Sequence, residues 1–256
     1  MTTFLDLLAE RPPLLGTWIK LPTIESVELM ALAGFDFVVI DLEHSPISLE
    51  TAATQIAVAR GRGICPLVRV PDHAPSWIQR CLDAGAAGIL APHVDTVEQA
   101  RNIGRAARFE PRGTRGVGPT SRAGDWGLTP MDAYLDGADQ VSVIAQIESS
   151  TGADAAPEIL DAGTVDALFV GPVDLSVSVG MTADDPAVTT LIDHVLHSCR
   201  SAGVPCGTAI GADADRAAAL AKDGFSFVMV SNDATILGAG AAGLVDAFRR
   251  DSSTGW

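Results

Sequence analysis

The sequence predicts one (β/α)8 barrel. Eight short apolar runs alternate with longer amphipathic stretches, and the 256 residues match the length of about 250 typical of this fold. Hydrophobic residues make up 47% of the chain but aromatic ones only 5%, so aliphatic side chains must fill the core. That composition suits parallel strands buried on both faces.

The strand candidates are 15–20 (LGTWIK), 35–41 (FDFVVID), 65–70 (CPLVRV), 87–92 (AGILAP), 141–148 (VSVIAQIE), 167–171 (ALFVG), 205–210 (PCGTAI) and 226–230 (SFVMV). Helical patterns lie between them, for example at 25–33, 51–62, 76–84, 96–108 and 212–222, and a last helix is expected over 236–250. Alternating strands and helices with right-handed crossovers make a parallel sheet, and eight units favour a closed barrel over an open one. The whole chain, 1–256, reads as one domain with a flexible tail at 250–256. The segments ALAGFDFVVIDLEH, CLDAGAAGILAPHV and LAKDGFSFVMVSND repeat one layout of helix end, short strand and polar residues. In that layout Gly34, Gly85 and Gly224 occupy helix C′ positions, where positive φ is required. The segment 109–128 (FEPRGTRGVGPTSRAGDWGL) has no periodicity, and a loop of that length marks a functional element or an interface.

A net charge of −15 opposes nucleic acid and anionic membrane surfaces as partners. No apolar run has the roughly 18 residues of a membrane span. The N-terminus MTTFLDLLAERPP lacks the basic, then apolar, layout of a signal peptide. Cys65, Cys81, Cys199 and Cys206 show no C-x-x-C spacing and read as buried reduced thiols of a cytoplasmic protein.

Active sites of such barrels sit at the C-terminal ends of the strands. The polar residues there include Asp41, Glu43, His44, Arg69, His93, Gln146, Glu148 and Asp174. Glu148 and Asp174 form the best metal pair: two carboxylates from neighbouring strands leave room for water and substrate oxygens around Mg²⁺ or Mn²⁺. The plainer alternative makes either of them a cap on the helix that follows. His44 is the candidate acid/base, with Asp41 and Glu43 beside it to orient the ring; its alternative is a surface loop histidine. Arg69 in LVRVP needs an anionic partner, either a substrate or a structural acid. Backbone amides around Gly171-Pro172-Val173-Asp174 can hold a substrate carboxylate if a helix starts there; otherwise this is an ordinary turn. His93 is a ligand or shapes the pocket. Trp18 walls the pocket or belongs to the core.

These residues resemble a family. GTWIKLPTIESVELMALAGFDFVVIDLEHSP, LDAGAAGILAPHVDTVEQA, RGVGPTSRA, QIES and FVGPVDLSVSVG follow, in order, the pattern of the HpcH/HpaI-type pyruvate aldolases. The resemblance implies a barrel assembled into homo-oligomers, commonly hexamers, with C-terminal helices exchanged between subunits. It implies class II aldol chemistry with a divalent cation (Mg²⁺, Mn²⁺ or Co²⁺) and pyruvate, an oxo acid and an aldehyde as small-molecule partners. Carried over by position, Glu148 and Asp174 match the metal ligands and His44 the general base. Arg69 matches the arginine on the substrate's oxo or enolate oxygen. Asp83, in LDAGA, matches the acid paired with the catalytic histidine. Gln146 matches a pocket residue, and the amides around Val173 and Asp174 match those that hold the pyruvate carboxylate; Trp18, Gly171 and Pro172 are expected in the same substrate site from their positions. The chain departs from the pattern at His93, where several members carry Met, at Val173, where Ala is frequent, and at Asp125, where some carry Arg or Ala. These positions belong to the acceptor side or to an interface.

The implied reaction is reversible cleavage of a 4-hydroxy-2-oxo acid to pyruvate and an aldehyde. A Schiff-base route would use Lys20, near the end of the first strand, but the carboxylate pair favours metal. Three other readings compete. A citramalyl- or malyl-CoA type lyase would use the arginines of 112–122 for CoA phosphates. A synthase would condense the same enolate with another acid. A metal-binding barrel without turnover would lack a complete site.

Overall fold

The structure is a computed structural model and describes residues 3–137 and 140–252. Eight strands form a closed parallel barrel in sequence order. They are β1 (Leu14–Ile19), β2 (Phe37–Asp41), β3 (Cys65–Arg69), β4 (Gly88–Ala91), β5 (Ser142–Ile147), β6 (Ala167–Val170), β7 (Cys206–Ile210) and β8 (Phe227–Asn232). Helix α1 (Phe4–Glu10) precedes the barrel. The connecting helices are α2 (Ile24–Ala33), α3 (Leu49–Arg62), α4 (Pro75–Asp83), α5 (Val97–Ala107), α6 (Met131–Gly137), α7 (Ser150–Asp161), α8 (Pro172–Ser178), α9 (Pro186–Ala202) and α10 (Ala214–Lys222), and α11 (Asp233–Ser252) follows β8.

The expected strands match these in order, with shifted ends. The eighth runs on to Asn232 instead of stopping at Val230, because its pairing with β1 passes through an irregularity at which Ser231 takes φ 56°. Such bulges keep a strand paired while re-aiming its side chains. Gly34, Gly85 and Gly224 all have positive φ at the ends of α2, α4 and α10. Helix α11 continues through Ser252, into the expected tail of 250–256; the rest of that segment, 253–256, lies outside the described residues.

Alternation along the strands sorts the core into two layers. Val38, Ile40, Val68, Ile89, Val143 and Leu168 face the helices. Phe37, Val39, Leu67, Ile144, Phe169, Phe227 and Met229 fill the barrel. Continuing the inward set reaches Asp41 on β2, Arg69 on β3, Gln146 on β5 with Glu148 just past its end, and Gly171 after β6. The polar mouth is therefore the last layer of the barrel interior.

The opposite end is sealed by aromatic rings. Phe4 of α1, fully buried, meets Phe37 and Phe227 edge-on at centroid distances of 5.1 and 5.2 Å. These rings need space that only glycine provides. A Cβ on Gly16 would lie 2.3 Å from the Phe37 ring, and one on Gly207 would lie 2.0 Å from that of Phe227.

Helix α11 stands apart from this packing. It meets β1 and β8 at its start, and 235–250 are exposed throughout, including Leu237, Leu244 and Phe248. Between α10 and the outer faces of β1 and β8 runs an apolar groove of about 380 Å³, lined by Leu15, Phe35, Ala217, Ala221, Val228 and Val230. That is where the helix after β8 would pack in a self-contained barrel.

Truncating the plug tests its weight. Phe4→Ala should cost about 3–5 kcal/mol of unfolding free energy, as large-to-small changes at buried aromatic sites do. Urea unfolding followed by circular dichroism measures it. A loss below about 1 kcal/mol would show that the barrel floor closes without α1.

Candidate active site

The mouth is organised around a buried ion pair. Asp41 and Arg69 are direct partners in the β2–β3 register and both point inward. The guanidinium grips the carboxylate with two bonds, Nε to Oδ1 at 2.9 Å and Nη2 to Oδ2 at 2.7 Å. Lys20, just past β1, donates to the same Oδ2 at 2.5 Å. Burial pushes the Asp41 carboxyl up, but Arg69 and Lys20 reverse this and hold it at about 2. Asp41 Oδ1 also accepts the backbone N–H groups of Glu43 and His44, at 3.1 and 3.2 Å, and so shapes the loop after β2. Arg69 Nη1 reaches Glu43 at 3.0 Å, and the guanidinium lies 4.2 Å from the Trp18 ring centroid. Trp18 in turn meets Phe169 edge-on at 6.0 Å, so it is both the top of the core and the platform for Arg69.

Arg69 thus has the structural partner that was one of its two alternatives. Asp41 takes two of the guanidinium's five donors in hydrogen bonds, and Glu43 meets Nη1 only as an ion pair, so donors remain for a substrate oxygen. Lys20 is tied to the Asp41 carboxylate, and an amine held in that ion pair is poorly placed to serve as a Schiff-base nucleophile.

On the other side of the mouth stands Glu148, 3% exposed. It is not a helix cap: the Ser149 hydroxyl caps α7 by accepting from Gly152 N–H at 2.9 Å. Asp174 sits in the first turn of α8, whose N-cap is Gly171. Gln146 Nε2 donates to Glu148 Oε2, and Gln146 Oε1 has no hydrogen-bond partner among the described residues. Burial raises the Glu148 pKa; the His93 N–H and ring oppose this, while nearby Asp174 and Glu43 add to it. A buried carboxylate raised by its neighbours has the electrostatics of a cation site. A Cβ on Gly171 would come within 3.1 Å of Glu148 Oε2, so glycine keeps the space beside that oxygen clear. Among the described residues no three His, Cys, Asp or Glu side chains converge on one metal position. Two carboxylates with the other positions left to water and substrate oxygens still fit a hard divalent cation.

Pro172 opens α8 and has no N–H to lose. The Val173 and Asp174 amides come next, in the first turn, where no carbonyl of their own helix can reach them. His44 is 60% exposed in its side chain and faces Glu43 at 3.8 Å. Glu43 therefore ties His44, Arg69 and His93 together. Sequence reading placed it only beside His44; its inward reach depends on the turn that Asp41 holds.

The structure does not bring Asp83 to His44 within one chain. Asp83 ends α4 at the barrel's N-terminal face and pairs with Arg115 at 2.6 Å. The arginine-rich segment 109–128 joins α5 to β5 through a 3₁₀ turn (Arg122–Gly127) and lies at that same face. Within one chain Asp125 is thus remote from the acceptor side, and the arginines of 112–122 are remote from any CoA group above the mouth.

The sequence profile of the HpcH/HpaI aldolase/citrate lyase family matches residues 14–238, nearly the whole barrel. The chain belongs to this family. Membership makes it a lyase of the aldolase type. It is 35% identical over 245 residues, 95% of each chain, to a 5-keto-4-deoxy-D-glucarate aldolase of Salmonella arizonae. A solved HpcH/HpaI family structure from Burkholderia cenocepacia superposes with a TM-score of 0.89 at 33% identity, covering 95% of this chain and 98% of that one. Citrate synthase SbnG superposes at 0.88 with 27% identity, covering 98% and 100%. HpcH/HpaI aldolases of this class depend in general on a divalent metal, in keeping with the carboxylates at this mouth.

Asp41→Asn should destabilise the barrel by roughly 3–5 kcal/mol, because it leaves a buried guanidinium without its counter-charge. The folded pKa of Asp41, about 2, lies below its ordinary 3.8. Its contribution is therefore complete above pH 3.8 and lost as pH falls toward 2. Denaturant titrations of both proteins should show the gap narrowing over that window, and a gap independent of pH would contradict the pairing.

Proposed function

We propose that this chain is a metal-dependent aldolase that reversibly cleaves a 4-hydroxy-2-oxo acid to pyruvate and an aldehyde. The observation that carries the proposal is Glu148: an inward, buried carboxylate beside Asp174, opposite a fixed guanidinium, with Gly171 keeping space beside its Oε2. The named relatives act on 5-keto-4-deoxy-D-glucarate, and a sugar-derived diacid of that type is the first substrate to test.

A divalent cation (Mg²⁺, Mn²⁺ or Co²⁺) on Glu148 and Asp174 would supply Lewis-acid polarisation of the 2-oxo group and carboxylate. The chain's own groups do the rest. The Val173 and Asp174 amides hold the carboxylate, and Gln146 lines the same floor. Arg69 places positive charge beside the 2-oxo oxygen as it gains electron density. His44 takes the proton of the 4-hydroxyl; the O–H electrons form the aldehyde carbonyl, and the C3–C4 electrons pass into the C2–C3 double bond of the enolate. Protonation at C3 then gives pyruvate.

The likeness to citrate synthase SbnG supports a second reading, in which the enolate condenses with an oxo acid. Within one chain the CoA-ester reading loses its basic patch to the opposite face of the barrel. A barrel without turnover is disfavoured by His44, Arg69, Glu148 and Asp174 all standing at one mouth. The four cysteines are buried and unpaired, in keeping with the cytoplasm, and among the described residues no helix is long and apolar enough to cross a membrane.

Glu148→Ala and Asp174→Ala should each abolish pyruvate release while circular dichroism stays unchanged. EDTA should silence the wild type, and Mg²⁺, Mn²⁺ or Co²⁺ should restore it. Turnover that survives chelation would refute the mechanism.

The proposed assembly is a homo-oligomer, a hexamer first, of single-barrel subunits. In it α11 leaves its own subunit and its apolar residues fill the groove between α10 and β1 of another. The same assembly gives Asp83 its route to a histidine, since only a second copy can present one chain's N-terminal face to another's mouth. Mixing His44→Ala with Asp83→Asn subunits should then restore activity that neither variant has alone, because one hybrid site is intact. Light scattering that shows a monomer at working concentration, or no complementation after subunit exchange, would overturn this arrangement.

A further inference from the structure

His93 follows β4 with φ 51°, in the left-handed region, where a side chain other than glycine's costs about 1–2 kcal/mol. Glycine would remove that strain, so the imidazole must return something. Its contacts show what. The His93 backbone N–H donates to Glu148 Oε1 at 2.7 Å, and ring Nδ1 lies 2.8 Å from the same oxygen. Ring Nε2 lies 3.3 Å from Glu43 Oε1. The left-handed backbone is what lets one residue aim its amide and its ring at a single oxygen. Gln146 Nε2 holds the other oxygen, Oε2, from the strand below. Glu148 is thereby held on both oxygens, and the His93 ring sits between its Oε1 and Glu43.

We infer that His93 is a positioning residue of the metal site, a clamp that pre-sets the Glu148 carboxylate for the cation. The inference rests on the proposed metal role of Glu148. It differs from a role as metal ligand, because the ring turns its near nitrogen to the Glu148 carboxylate and its far nitrogen to Glu43. Residues that orient a ligand in this way typically govern 10- to 100-fold of metal affinity.

The test is Mn²⁺ binding to the metal-free full chain, followed by calorimetry and by electron paramagnetic resonance. His93→Gly relaxes the backbone, keeps the amide and removes only the ring. It should weaken Mn²⁺ at least about 10-fold while the thermal midpoint stays level or rises, a combination that a purely structural residue would not give. His93→Asn, which tolerates the left-handed backbone and can still donate, should recover part of the loss. Wild-type affinity in His93→Gly would overturn the inference, as would nitrogen hyperfine coupling showing the ring bound directly to Mn²⁺. Glu148→Gln separates the two levels. If it too binds Mn²⁺ normally, the metal assignment itself fails; if it alone loses binding, only the role of His93 fails.

Discussion

A guanidinium buried at the top of a barrel cannot be left without a counter-charge, and the mouth of this protein is built around that requirement. Arg69 points inward because the pleat sends it there, two residues after Leu67. Asp41 answers it from the neighbouring strand with two parallel hydrogen bonds. Once that pair is set, Lys20 has a partner, the turn carrying Glu43 and His44 has its amides anchored, and Trp18 has a cation to stack against. One buried charge thus organises three consecutive strand ends. It turns the acidic loop after β2 into a fixed wall facing Glu148.

Much of this was legible in the sequence because period-two alternation and strand order are local properties. FVVID, PLVRV and IAQIE state their inward positions by parity alone, and so Asp41, Arg69 and Glu148 could be placed at one mouth before any coordinates. The position of 109–128 was legible too, in principle: it connects a helix to a strand, and such connections lie at the floor of a barrel. Its arginines drew attention to charge and away from that topology. Asp83 carries the same lesson. It stood at a helix end in the sequence, and a helix end before a strand is a floor position.

Other features had no local signature. Phe4 lies in a short helix ahead of the barrel, outside the strand and helix pattern read from the sequence, and only closure of the barrel makes its ring a plug. The clamp on Glu148 depends on the sign of one backbone dihedral at His93, a sign uncommon outside glycine. The reach of Glu43 depends on a turn held by another residue's side chain. In each case the decisive quantity is a tertiary contact, which composition and periodicity do not encode.

The aromatic floor has a kinetic meaning. Phe4, Phe37 and Phe227 close the barrel below the site, so molecules enter and leave by the mouth alone. Arg69, Gln146 and Glu148 are nearly fully buried at depth, whereas the His44 and His93 side chains are 60% and 61% exposed at the rim. On the proposed reading the three-carbon donor occupies the depth and the aldehyde the rim. On that reading the closed floor enforces a queue: the aldehyde at the rim departs first, and pyruvate, held at depth, leaves last.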